Sequence, residues 1–242
     1  MKDEVTLCIS SCGRLHLLEQ TLESILKHNN YPLEKTIIID DSGKEHNWDA
    51  IVSLVKRISK NHEIILNEKN IGQYESLDIM YPKVTTEWIF HCEDDWEFYH
   101  SGWIEESLEV HNHYGEKLFT CDLWGSRIKL DDKRILPETH TTDNGLRYKI
   151  INPAYKLGGM NQNPGIRRTE TVALLYPYAS RGRGNYRRMY HTEATLAKEY
   201  IKELGYRSAW VVDSEYVDHI GWGEHIYPEP VDNKPYFIGK KS

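Results

Sequence analysis

Residues 87–96 read EWIFHCEDDW. The first six form a short β-prone run and three acids follow without a spacer, so a buried strand ends on a cluster of negative charge. The same grammar appears upstream. TLCIS (6–10) is a β-prone run, and from Arg14 onward Leu15, Leu18, Leu22, Ile25 and Leu26 recur with helical spacing. TIIID (36–40) reads as a strand buried on both faces, and Trp48, Ile51, Leu54, Val55 and Ile58 mark one side of a helix. EIIL (63–66) supplies a third strand, and a short helix carrying Tyr74, Leu77 and Met80 is expected after Gly72. Strands alternating with helices predict an α/β fold: a Rossmann-like, mainly parallel sheet with flanking helices and strand C-termini along one edge. Ligands of such sheets bind at that edge. Ser10 and Ser11, Asp40 and Asp41, and Glu93, Asp94 and Asp95 follow three of the strands and should converge there.

The second half is less regular. LFTCDLW (118–124) is a candidate strand, 131–147 is polar, and RGRGNYRR (181–188) reads as a flexible basic loop. A helix is expected from Thr192 to Leu204, with Leu196, Ala197, Tyr200, Ile201 and Leu204 on its apolar face and Gly205 as its stop. SAWVV (208–212) follows as a strand. Nothing resembles a Pro/Gly/Ser-rich linker, so one domain is expected over 1–242.

The formal net charge of −7 argues against broad nucleic-acid binding, which needs Lys and Arg spread over a wide face. No stretch approaches the roughly twenty apolar residues that cross a bilayer, and MKDEVTLCIS lacks the shape of a cleavable leader, so a cytoplasmic location is expected. Cys8, Cys12, Cys92 and Cys121 have no metal-ligand spacing and read as reduced thiols, three of them in strands.

Three adjacent acids repel and raise one another's pKa unless a cation compensates. Mg²⁺ or Mn²⁺ takes one or two carboxylates and completes its shell with water and substrate phosphates, which suits a nucleotide diphosphate. The bland alternative is a solvated acidic turn, against which the strand-end placement weighs.

VTLCISSCGR (5–14), IIIDDSG (37–43), NIGQYESLD (70–78) and WIFHCEDDW (88–96), in that order and spacing, resemble glycosyltransferase family 2 and its relatives. The resemblance implies a GT-A fold and metal-dependent, inverting transfer from a nucleoside diphosphate sugar, a UDP-sugar being favoured, to a glycan or other hydroxyl acceptor. Residues 1–100 would be the nucleotide-binding half and 101–242 the acceptor-binding half. It assigns Ser10, Ser11, Arg14, Asp40, Asp41, Asn70, Gln73, Glu93 and Asp94 to the nucleotide. EDDW takes the D-x-D position, with Asp95 as direct ligand of Mn²⁺ or Mg²⁺ and His219 as a further one. Family members place a catalytic base at a helix start about a hundred residues beyond D-x-D, and Glu193 fills that place; Glu170 and Asp213 are weaker alternatives. A helix-dipole role alone would also explain an acid in a first turn. ISSCGR replaces a Pro-Thr-Tyr-Asn-Arg type of stretch, so an aromatic partner for the base is missing there.

Two segments extend the candidate site. DHIGWGEH (218–225) adds Trp222, which would stack on a sugar or fill the core, and His225; Arg181 and Arg183 of the basic loop could meet an anionic substrate. That loop lacks the P-loop pattern. A nucleotidyltransferase is the rival enzyme class, but its usual Gly-rich basic loop after the first strand is absent. A haloacid-type phosphatase would need an Asp after that strand, and a catalytically inactive nucleotide- or glycan-binding module would not need Glu193.

Overall fold

The computed structural model describes residues 3–123, 132–155, 157, 159–181, 188–212 and 215–224. Its elements run β1 (Val5–Ser11), α1 (Leu15–His28), β2 (Leu33–Asp40), α2 (Asp49–Ile58), β3 (Ser59–Leu66), α3 (Gln73–Met80), β4 (Trp88–Glu93) and β5 (Trp96–Phe98). The second half adds α4 (Trp103–Tyr114), β6 (Leu118–Asp122), β7 (Ile135–Thr141), β8 (Arg147–Ile151), β9 (Gly165–Arg168), α5 (Thr169–Ala173), α6 (Arg188–Ala197), β10 (Arg207–Val211) and β11 (Val217–His219). A π-helical turn, Lys198–Glu203, prolongs α6.

Among the described residues nine strands form one sheet in the order β3-β2-β1-β4-β9-β6-β10-β8-β7. Only β8 and β9 run against the rest. The sheet is therefore mostly parallel, as the sequence predicts, and β9 carries it from the first half into the second. Both faces are covered, which is why β1 is buried from end to end. Val5, Leu7 and Ile9 of β1 meet Leu18, Leu22 and Ile25 of α1 on one face, together with Ile51, Val55 and Trp103. Cys8 and Ile39 turn to the other face and join Tyr74, Leu77, Leu196 and Tyr200.

Several expected boundaries shift. β3 starts at Ser59, ahead of the apolar EIIL, because its first residues pair with β2 from Leu33 onward. The polar stretch 131–147 holds β7 and the start of β8, an antiparallel pair at the sheet end. The expected helix over 192–204 begins earlier, at Arg188, which moves Glu193 out of the first turn and into the helix interior. Leu204 is 39% exposed rather than part of the apolar face, since the chain leaves the helix there and turns at Gly205, whose φ is +75°. Cys8, Cys92 and Cys121 are buried free thiols and Cys12 is half-buried. Among the described residues no helix is long and apolar enough to cross a membrane.

Candidate active site

The parallel register brings the polar strand ends to one level. Ser10 pairs with Glu93 across β1 and β4, and Ser11 with Asp40 across β1 and β2. Above that level Ser11 Oγ donates to Asp94 Oδ2 at 2.9 Å. Gln73, the first residue of α3, donates through Nε2 to Glu93 Oε1 at 2.6 Å. The loops after β1 and β4 and the start of α3 thus meet.

Asp40 and Asp41 face the same edge, but their oxygens are taken up mainly by loop backbone. Asp40 Oδ2 accepts from Gly13 N at 2.7 Å and Oδ1 from Ser42 N at 3.0 Å. Asp41 accepts from Ile71 N at 2.9 Å, Gly72 N at 2.8 Å and the Asn67 amide at 2.8 Å. Each carboxyl group gathers N–H donors from the loops around it, the arrangement that holds a tight loop without local helix or sheet bonds. Asn70, between the two loops, donates to Cys12 Sγ at 3.3 Å.

Asp94 and Asp95 form the turn between β4 and β5, with side chains only 1% and 4% exposed. A single cation serves both: Arg14 at the start of α1 pairs through Nη2 with Asp94 and through Nη1 with Asp95 Oδ2 at 2.8 Å. Thr21, two turns further along α1, accepts from Trp96 N at 3.2 Å and donates to the Asp94 carbonyl at 2.9 Å. The acidic turn is therefore clamped onto α1 on both its side-chain and backbone sides.

The chain returns to this place from the far end. β11 pairs antiparallel with β5 so that His219 opposes Trp96, and Ile220 N donates to the Asp95 carbonyl at 2.9 Å. His219 Nε2 lies 3.2 Å from Asp95 Oδ2, its ring edge-on to Trp96 and Trp222 at centroid distances of 5.1 and 4.6 Å. Trp222 is 64% exposed and so does not fill the core. Gly221 packs so closely on Asp95 that a Cβ there would fall 2.3 Å from Oδ2. Asp95 Oδ1, by contrast, is buried and accepts no hydrogen bond among the described residues. One uncommitted carboxylate oxygen beside an imidazole fits a Mg²⁺ or Mn²⁺ ion that draws its remaining ligands from phosphate and water. Among the described residues no group of three or more His, Cys, Asp or Glu gathers as an all-protein metal cage.

Burial and the neighbouring Asp95 and Asp94 push Glu93 up to about 8. Burial also raises Asp94, to about 6, with Arg14 opposing. For Asp95 burial acts the same way, but the His219 hydrogen bond and the Arg14 charge outweigh it and hold the group below the usual carboxylate range. The three acids are thus unequal, and Asp95 is the one whose ionised form is held most firmly.

Glu193 of α6 lies near the Glu93 side of this cluster. It is close enough to Glu93 and Tyr74 for its charge to raise both, and burial pushes Glu193 itself up to about 7, opposed by Arg167. Arg167 of β9 is fully buried and donates to Tyr81 Oη at 3.3 Å, Gln162 Oε1 at 3.0 Å and the Asn161 carbonyl at 2.8 Å. Asn161 donates in turn to Asp122, 2.9 Å away at the end of β6. This polar layer between the sheet and α3 was missed in the sequence, because a glycine and two arginines in GIRR do not read as strand. Glu170 begins α5 after β9, at the opposite sheet edge: Thr169 N bonds Glu87 O, just before β4 starts. It cannot reach the acids. Arg181 is committed to Glu199 at 2.7 Å and to the Leu175 carbonyl at 2.6 Å. Arg183, Asp213 and His225 lie outside the described residues.

The sequence model of Glycosyl transferase family 2 matches residues 6–165. The chain belongs to glycosyl transferase family 2. No curated protein sequence matches it. Among solved structures, this family 2 chain is similar to Staphylococcus aureus TarS residues 1–349 in complex with UDP, with 12% identity, a TM-score of 0.60, and coverage of 88% of this chain and 59% of that one. The same TarS segment with UDP-GlcNAc gives 14%, 0.57, 90% and 60%. A mannosyltransferase, PcManGT from Pyrobaculum calidifontis, in complex with GDP-Man and Mn²⁺ gives 13%, 0.59, 86% and 54%. Likeness at these identities establishes a shared fold of GT-A kind. The family 2 chain spans less than two thirds of the length of each of these structures.

Proposed function

We propose that this family 2 chain transfers a sugar, with inversion, from a nucleoside diphosphate donor to the hydroxyl of a glycan or similar acceptor, in glycan biosynthesis. The observation that carries the reading is that the ends of β1, β4 and β11 and the start of α1 bring Ser11, Arg14, Asp94, Asp95 and His219 into a chain of direct contacts at one sheet edge, with Glu193 of α6 near enough to the adjoining Glu93 for its charge to act on it. A nucleotide-only module would have no use for Glu193.

In this reading the first half binds the nucleotide and the second the acceptor. Ser11 and the loops tied by Asp40 and Asp41 take the nucleoside, with Ser10, Asn70, Gln73, Glu93 and Asp94 around the ribose and phosphates. The TarS complexes support a uridine nucleotide, and the Mn²⁺ of the mannosyltransferase supports a divalent cation. Held by Asp95 and His219, such a cation would offset the charge of the leaving diphosphate. Glu193 as carboxylate takes the proton of the acceptor hydroxyl while that oxygen bonds to the anomeric carbon, and the bond from that carbon to the diphosphate oxygen breaks. A group whose pKa lies near 7 is suited to this, being ionised at working pH yet basic enough to accept the proton. Trp222, exposed beside His219, offers a face for a sugar ring.

The test is product analysis with UDP- and GDP-sugars and Mn²⁺ in the presence of candidate acceptors. Release of nucleoside diphosphate together with a glycosylated acceptor is expected. Release of pyrophosphate would place the chain among nucleotidyltransferases, and no turnover with any donor would leave the binding-module reading standing.

A further inference from the structure

We propose that Arg14 is a resident counter-ion of the Asp94–Asp95 pair, so that a divalent cation and a diphosphate enter this site together and a cation alone is held off. The inference rests on the reading of the site as a nucleoside diphosphate site. Its ground is the way one guanidinium is spent. Arg14 binds Asp94 through Nε at 3.3 Å and through Nη2, binds Asp95 through Nη1 at 2.8 Å, and with Nη1 also reaches the Glu224 carbonyl at 3.2 Å. The Arg14 side chain is 14% exposed and the two acids less. Glu224 is held a second time, by His16 at 2.9 Å. The start of α1 thus clasps the segment that carries His219 and Gly221 across the acids.

A cation approaching Asp95 meets that guanidinium in direct contact with the same carboxylate. To make room, Arg14 has to leave Asp95, and a half-buried arginine left without a new acceptor is costly. A diphosphate supplies that acceptor, since its oxygens match the guanidinium fork at least as well as a carboxylate does. The exchange is favourable when both ligands arrive and unfavourable when only the cation does. Because the coupling is thermodynamic, the diphosphate raises cation affinity by the same factor as the cation raises diphosphate affinity. The departure of Arg14 also removes one of the two bonds that tie Glu224 to the start of α1 and loosens the segment that shuts Asp95 from solvent.

The test is titration of Mn²⁺, with free ion read by electron paramagnetic resonance, into wild type, Arg14→Gln and Arg14→Lys, each with and without UDP. Arg14→Gln, which removes the competing charge, is expected to bind Mn²⁺ alone about tenfold more tightly than wild type and to show a correspondingly smaller effect of UDP. Arg14→Lys keeps the charge but cannot bridge both acids, and is expected to bind Mn²⁺ alone a few-fold more tightly; it decides the matter if the glutamine variant does not fold. Equal Mn²⁺ affinity without UDP in wild type and variants, in proteins that all bind UDP with Mn²⁺, would overturn the role given to Arg14 and leave the transferase reading intact. A wild type that binds neither Mn²⁺ nor UDP in any combination would remove both.

Discussion

Gly221→Ala places a methyl group 2.3 Å from Asp95 Oδ2, 2.7 Å from its Cβ and 2.8 Å from its Cγ. Ordinary contacts of this kind need more than 3 Å, so one partner must retreat by roughly an ångström. Asp95 has little freedom to do so, since Arg14, His219 and the backbone bond from Ile220 all fix it. The backbone at 221 is not in the left-handed region, so the cost is steric rather than conformational. Overpacking of this sort costs about 1–3 kcal/mol, and for a chain of this length each kcal/mol lowers Tm by about 2–4 °C. A fall in Tm of roughly 2–12 °C is expected on that basis. The functional effect should be larger in proportion, because a displacement of about 1 Å at a reacting site costs on the order of 10²-fold in rate. Differential scanning calorimetry reads the first quantity and turnover with Mn²⁺ the second. An alanine variant with wild-type Tm and turnover would show that residues 219–221 do not press on Asp95, and the account of the metal site would fail with it.

Two further outcomes follow from the same site. Glu193→Gln should lower transfer by about 10²- to 10⁴-fold while donor binding, measured by calorimetry, stays unchanged; in wild type the rate should fall as pH drops below about 7, where Glu193 takes up a proton. A Gln variant that turns over normally would end its role as base. Asp122, pushed up to about 7 mainly by burial, binds a proton more tightly folded than unfolded, so its contribution to stability is full below the unfolded pKa and is lost as pH rises through about 7. Asp122→Asn should therefore flatten part of the decline in Tm between about pH 4 and pH 7, and an unchanged pH slope would count against that carboxyl being buried.

The sheet was legible where strands are apolar on both faces. β1, β2 and β4 announce themselves as TLCIS, TIIID and WIFHC because parallel central strands cannot afford polar faces. β9 did not, since Arg167 is tolerated in a buried strand only through acceptors supplied by Tyr81, Gln162 and Asn161, none of which its local pattern reveals. The early start of α6 was hidden in the same way by RGRGNYRR, whose composition reads as loop. In the site, the convergence of residues 10–11, 40–41 and 93–95 follows from topology alone and could be anticipated. How their oxygens are used could not. Asp40 and Asp41 tie loop backbone, and Arg14 meets Asp94 across 80 residues of chain; both depend on loop paths that periodicity does not encode. Gly221 carried no sequence signal beyond being a glycine near a histidine.

The most direct measurement of the central claim is calorimetric titration of UDP and GDP, with and without Mn²⁺, into wild type and Asp95→Ala. Saturable binding of one nucleotide by wild type, strengthened by Mn²⁺ and with that strengthening abolished in the alanine variant, is the predicted result. Equal Mn²⁺-dependent affinity in the two proteins, or no binding of either nucleotide to wild type, would contradict it.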